Sequence, residues 1–185
     1  MRARFLTIGI PLFFLSLVLW LWFMPTARVG YAPEQPFDYN HKLHAGQYEI
    51  DCQYCHTGVD TSKKAGVPNL ETCMNCHSVV GYGKENVEKL KEHWNEKRSP
   101  QWNRVHNLPD HVRFSHAPHI NALLEEGKPT KTACMECHGD VASMEKVAQV
   151  KPHNMGWCVD CHRDYRDSDE YKNKGVSTDC NTCHY

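Results

Sequence analysis

The sequence predicts a chain with little regular secondary structure, in which short helices and loops wrap around covalently held prosthetic groups behind one long N-terminal helix. Three observations carry this. All ten cysteines fall in five Cys-x-x-Cys-His motifs, the chain beyond residue 24 is poor in Leu, Ile and Val, and the first 24 residues are almost wholly apolar. A segment so short of aliphatic residues cannot build an ordinary core, so buried apolar area has to come from another source.

The motifs are Cys52-x-x-Cys55-His56, Cys73-x-x-Cys76-His77, Cys134-x-x-Cys137-His138, Cys158-x-x-Cys161-His162 and Cys180-x-x-Cys183-His184. With 13 histidines in 185 residues, chance would place one after a given cysteine roughly one time in fourteen, so five of five is a signal. The spacing suits haem c: two thiols add across the porphyrin vinyl groups, and the adjacent imidazole becomes the proximal iron ligand. Structural zinc needs paired knuckles, which leaves one of five without a partner, and neither zinc nor disulfides ask for histidine at the next position. Five covalently attached haem c groups are therefore expected, and they supply the missing core.

The N-terminal element is residues 1–24. Arg2 and Arg4 precede about twenty apolar residues, long enough at roughly 1.5 Å per residue to cross a hydrocarbon layer of about 30 Å. A cleavable signal peptide is the competing reading. The apolar run exceeds the usual h-region, and Pro25-Thr26-Ala27 is a poor cleavage site. Trp20 and Trp22 suit an interfacial belt, and the positive-inside rule leaves the arginines cytoplasmic and the bulk of the chain on the periplasmic face. A single-pass inner-membrane anchor is expected.

Residues 25–36 hold three prolines and a glycine and read as an extended linker. Residues 37–100 form a two-haem unit that opens on Tyr39-Asn40-His41-x-x-His44. Within it, Val87, Leu90 and Trp94 recur at helical spacing over Lys84 to Trp94, predicting one amphipathic helix packed by that stripe. Ser99-Pro100 and Leu108-Pro109-Asp110 break the chain before a three-haem unit, residues 101–185. That unit opens on Phe114-Ser115-His116-x-x-His119. An aromatic residue two places before a His-x-x-His pair in both copies points to duplication. Histidines three apart share one helical face, so each short helix aims two imidazoles at two different haems.

The eight histidines outside the motifs are His41, His44, His93, His106, His111, His116, His119 and His153. Of these, Phe114-x-His116-x-x-His119, His153 five residues before Cys158, and the three C-terminal motifs resemble the three-haem cytochrome c7 arrangement of class III cytochromes. The resemblance implies that His116 caps the haem at His138, His119 the haem at His184, and His153 the haem at His162. Extended upstream, it gives His41 to the haem at His56 and His44 to the haem at His77, with His106 the rival of His44. His93 and His111 are left as surface or haem-edge residues. Met155 keeps a His/Met haem open as an alternative.

Across nearly its whole length the chain also resembles the pentahaem cytochrome c subunit of bacterial alternative complex III: one anchor, five motifs split two and three, both aromatic-x-His-x-x-His segments, and Val105-His106-Asn-Leu-Pro-Asp. That implies a membrane-anchored relay taking electrons from quinol-oxidising partner subunits to a monohaem cytochrome, a soluble carrier or a terminal oxidase. No catalytic site is expected on the chain itself. The alternatives are a stand-alone membrane-anchored quinol dehydrogenase feeding a periplasmic reductase, and a catalytic multihaem reductase. The near-neutral charge of -1, without a basic patch, speaks against nucleic acid as a partner.

Overall fold

Short-range chemistry sets almost every element. In a computed structural model that describes residues 2–23, 28–124, 128–171 and 175–185, all regular structure among the described residues is helical. The first helix, α1 (Arg2–Phe23), is 22 residues long and contains Pro11. Side chains are described for its residues 10–20, and those are largely exposed, among them Leu12, Phe13, Leu15 and Leu19. Among the described residues, no helix is long and apolar enough to cross a membrane. The expected anchor lies partly outside them, at Met1 and Met24, as do Pro25-Thr26-Ala27 of the expected linker.

The attachment motifs all lie on helical turns. They occupy α2 (Cys52–Cys55), the end of α3 (Leu70–His77), the end of α6 (Lys131–His138), the middle of α7 (Met155–Asp167) and α8 (Cys180–Cys183). Side-chain caps start three of them. Asp51 accepts from the Gln53 amide, Asn69 from Thr72 and Asn154 from Trp157, each satisfying a donor that the first turn leaves open. Gly139, directly after His138, ends α6 at φ 70°, and a side chain there would run into Val150.

The predicted amphipathic helix is α4 (Glu85–Asn95), but its buried face is displaced from the expected stripe. Leu90 and His93 are buried while Trp94 is 39% exposed. The reason lies in Phe37, which packs edge-on against both His93 and Trp102, at 5.7 and 4.9 Å between ring centroids. His93 is thus an interior residue rather than a surface one.

The apolar core is small. The buried apolar side chains among the described residues are Phe37, Val59, Leu90, Ile120, Ala133 and Tyr171. Val59, from the loop after α2, packs with Ile120 of α5 (His116–Leu123) and Ala133 of α6, with Ala65, Leu123 and Leu124 around them. This cluster ties the first attachment motif to the C-terminal unit.

More contacts cross between the two expected units. The segment read as linker is extended, yet its latter part is held down. The Gly30 amide donates to the Gln149 carbonyl at 2.7 Å, and the Gln149 amide donates to Tyr31 at 3.0 Å. Glu34 pairs with Lys146, and Gln35 and Asn103 exchange two hydrogen bonds of 2.9 Å. A π-helical turn, Lys42–Gln47, lies on a short 3-10 turn, Val141–Ser143, with the Lys42 amide donating to Met144 at 2.9 Å. Gly46 is needed there because a Cβ would collide with the Ala142 carbonyl.

Candidate haem centres

Each Cys-x-x-Cys pair spans one helical turn, so both thiols stand on the same face, as attachment to one porphyrin requires. Burial holds most of these thiols protonated: Cys55, Cys73, Cys158 and Cys161 are pushed up, and Cys137 reaches about 11. Cys52 is the exception. It lies against the thiol of Cys134, and that contact lowers Cys52 to about 7 while raising Cys134.

The histidines show a shared hydrogen-bond pattern. A backbone carbonyl only accepts, so a ring nitrogen bonded to one carries the proton. Among the motif histidines, Nδ1 of His56 donates to Gly66 at 2.7 Å, that of His77 to Val80 at 3.2 Å, that of His162 to Ser177 at 2.6 Å and that of His184 to His111 at 3.0 Å. Nδ1 of His44 donates to Asn40 at 2.8 Å, that of His116 to Lys63 at 2.9 Å and that of His119 to Ser115 at 2.7 Å. Each of these imidazoles is fixed in the tautomer whose Nε2 lone pair is free to bind iron.

The His-x-x-His pairs are built alike. Tyr39 packs against His41 at 4.7 Å and His44 at 4.4 Å, and Phe114 against His116 at 4.9 Å and His119 at 4.6 Å. The aromatic residue two places ahead of each pair holds both rings apart.

Two imidazoles that share one metal, each bonded at about 2 Å, place their ring centroids roughly 6 Å apart. Four pairs meet that spacing, one of them His138 with His153 at 6.0 Å, where the Nε2 of His153 is already engaged by the Cys137 carbonyl. His116 and His138 stand at 6.4 Å with planes 6° apart, His44 and His77 at 6.0 Å, and His119 and His162 at 5.9 Å. His111 stacks on His184 at 5.5 Å. Porphyrin supplies four iron ligands, so only two need come from protein, and the residues fit that demand. Among the described residues, no three His, Cys, Asp or Glu side chains converge as a bare metal ion would need. When bound, each haem supplies a one-electron ferric/ferrous couple.

Two of the pairings implied by the c7 resemblance differ from this geometry. His119 faces His162 rather than His184, and His184 has His111 beside it. His153 has its Nε2 engaged, donating to the Cys137 carbonyl at 2.8 Å, and a left-handed backbone at φ 50° turns it toward His106 and Trp157. The resemblance implies partners for α5 on α6 and α8, whereas the structure brings its two imidazoles beside rings of α6 and α7.

His106 is half-buried, with an Nε2 that has no hydrogen-bond partner, and it sits edge-on to His138 at 4.3 Å, too close for an iron between them. His41 is half-buried too, with an unpartnered Nδ1. Burial drives His138 down to about 3 and both His41 and His106 to about 4, so all three are neutral at physiological pH and keep a lone pair.

Residues 112–185 match the family described as cytochrome c7 and related cytochrome c. This part of the chain is cytochrome c7-like. The match begins just past His111 and takes in α5 to α8 with three of the five motifs. Similarity to that family implies covalently bound haem c. The chain is also 29% identical over 192 residues to the menaquinone reductase multiheme cytochrome c subunit of Nitratidesulfovibrio vulgaris (strain Hildenborough), across 95% of this chain and 81% of that protein. The similarity thus runs beyond the c7-like part into the two-motif segment.

Sequence reasoning did not single out His111 as a partner of His184. The Asp110-His111-Val112 segment carries no periodicity, and its place beside His184 depends on the Arg113 amide donating to the Cys183 carbonyl at 2.8 Å, a contact between chain regions far apart in sequence.

Proposed function

We propose that this chain is a membrane-anchored, five-haem c-type cytochrome relaying electrons between the membrane quinone pool and an acceptor on the periplasmic face. It would serve as a subunit of a quinol-oxidising complex of the alternative complex III type. The observation that carries the reading is the pairing of imidazoles with free Nε2 atoms. An iron capped on both faces has no open position for substrate, which leaves outer-sphere electron transfer as its task. The five attachment motifs and the resemblance to a pentahaem subunit support the haem number. The similarity to a subunit of a menaquinone reductase supports a quinone-linked complex.

The exposed apolar side chains of α1 support the anchor, because an apolar helix surface of this kind in water would need cover. Arg2 and Arg4 then lie on the cytoplasmic side and the haem region on the periplasmic face. The acceptor is a monohaem cytochrome c, a soluble carrier or a terminal oxidase.

A second reading reverses the flow: the relative's name describes menaquinone reduction, so electrons would enter at the periplasmic face and leave to quinone. A stand-alone quinol dehydrogenase is the third. Purification of the native membrane complex, followed by anaerobic mixing with a menaquinol analogue, tests all three. Co-purifying subunits together with rapid reduction of all haems by quinol support the proposal. Reoxidation of pre-reduced haems by menaquinone, with no reduction by quinol, supports the reverse direction. A single polypeptide that oxidises quinol unaided overturns the subunit reading.

A further inference from the structure

Sequence order suggests a relay that runs through the five attachment sites as they are numbered along the chain. The packing gives another order. The Val59, Ile120 and Ala133 cluster brings α2, with the first motif, against α5 and α6. In the same region the His116 and Ala117 amides donate to Lys63 and Ser62 of the loop after α2, and Asn121 Nδ2 donates to the Asp60 carbonyl at 3.0 Å. The outcome is that Cys52, of the first motif, has its thiol against Cys134, of the third.

The second motif also touches the first. Asn75, inside the second motif, donates to the hydroxyl of Tyr54, inside the first, at 3.0 Å. Cys55 of the first motif lies within electrostatic reach of both Cys73 and Cys76. Within the C-terminal unit the sites follow chain order: His153, five residues before the fourth motif, donates to the Cys137 carbonyl of the third at 2.8 Å, and His162 of the fourth donates to the Ser177 carbonyl, three residues before the fifth, at 2.6 Å.

We infer that the first attachment site, at Cys52 and Cys55, is the bridge between the two-haem and three-haem units, so that the relay runs second, first, third, fourth, fifth. The second site, at Cys73 and Cys76, is then one terminus of the relay and the fifth, at Cys180 and Cys183, is the other. Each step along it moves one electron and nothing else: one site passes from ferrous to ferric as its neighbour passes from ferric to ferrous. Donor and acceptor at the ends are the quinol and the periplasmic one-electron carrier of the proposed function, on which this inference rests.

Iron positions decide it. Anomalous scattering at the iron edge from crystals of the haem-loaded protein, or a cryo-electron map of the native complex, gives the five iron sites directly. The expected result places the iron of the first site as nearest neighbour to the irons of both the second and the third, with the second and third irons further apart from each other. An iron of the second site lying between the first and third, or directly beside the third, overturns the inference. Failure of the relay reading itself would show differently, as haems that neither quinol nor a periplasmic carrier can reduce or oxidise, whatever the iron positions.

Discussion

The ring planes of His116 and His138 are nearly parallel, 6° apart, with centroids 6.4 Å apart, and His116 is locked by its Nδ1 to the Lys63 carbonyl. Replacing His116 with Ala should therefore open one axial position. The haem count by mass spectrometry is expected to stay unchanged, while the ferric EPR spectrum gains one high-spin signal. A fully low-spin spectrum would sink the assignment.

His44 stands 6.0 Å from His77, whereas His106 lies against His138 and His153. His44→Ala should produce a high-spin ferric haem, and His106→Ala should leave the haem at His77 low-spin. The reverse outcome, read by the same spectroscopy, would return the second haem to His106.

His119 faces His162. A thioether is a weaker donor to ferric iron than imidazole, so His119→Met should raise the midpoint potential of one haem by on the order of 0.1–0.3 V, within the roughly 0.8 V over which axial ligands tune haem. The affected haem should be the one attached at Cys158 and Cys161. Potentiometric titration of the variant, with and without the Cys158→Ala/Cys161→Ala pair, identifies it: loss of the shifted component with that attachment site is the expected result.

Ile120 anchors α5 and hence both His116 and His119. Ile120→Ala should cost about 2–4 kcal/mol, the range for truncating a buried aliphatic residue. Thermal unfolding of the loaded protein gives the measure, and an unchanged midpoint would show that haem contacts alone hold the helix.

Six buried apolar side chains among the described residues are too few to organise a chain of this length. Protein made without haem attachment should therefore lack a cooperative unfolding transition by circular dichroism. A sharp transition in the haem-free chain would contradict this.

What could be read from the sequence is what lies within a few residues. The Cys-x-x-Cys-His motifs, the helical turns that carry them and the aromatic-x-His-x-x-His pairs are local chemistry, and Tyr39 and Phe114 take the equivalent positions their repeat suggests. Partner choice is a long-range property. Whether His119 meets His162 or His184 depends on how α5, α6 and α7 pack, which no spacing encodes. The same holds for His93, drawn inward by Phe37, for residues 30–35, whose proline content reads as linker although Gln149 and Asn103 pin them, and for the contact between Cys52 and Cys134.

The aromatic wedge between each pair of histidines bears on speed as well as placement. Electron tunnelling falls off exponentially with distance, so a relay is only as fast as its widest gap. In both copies a single turn of chain carries two imidazoles, with Tyr39 or Phe114 packed against both. A turn braced in this way would act as a strut between the two redox centres its imidazoles cap in the proposed relay, holding the gap between them while the loops around it move.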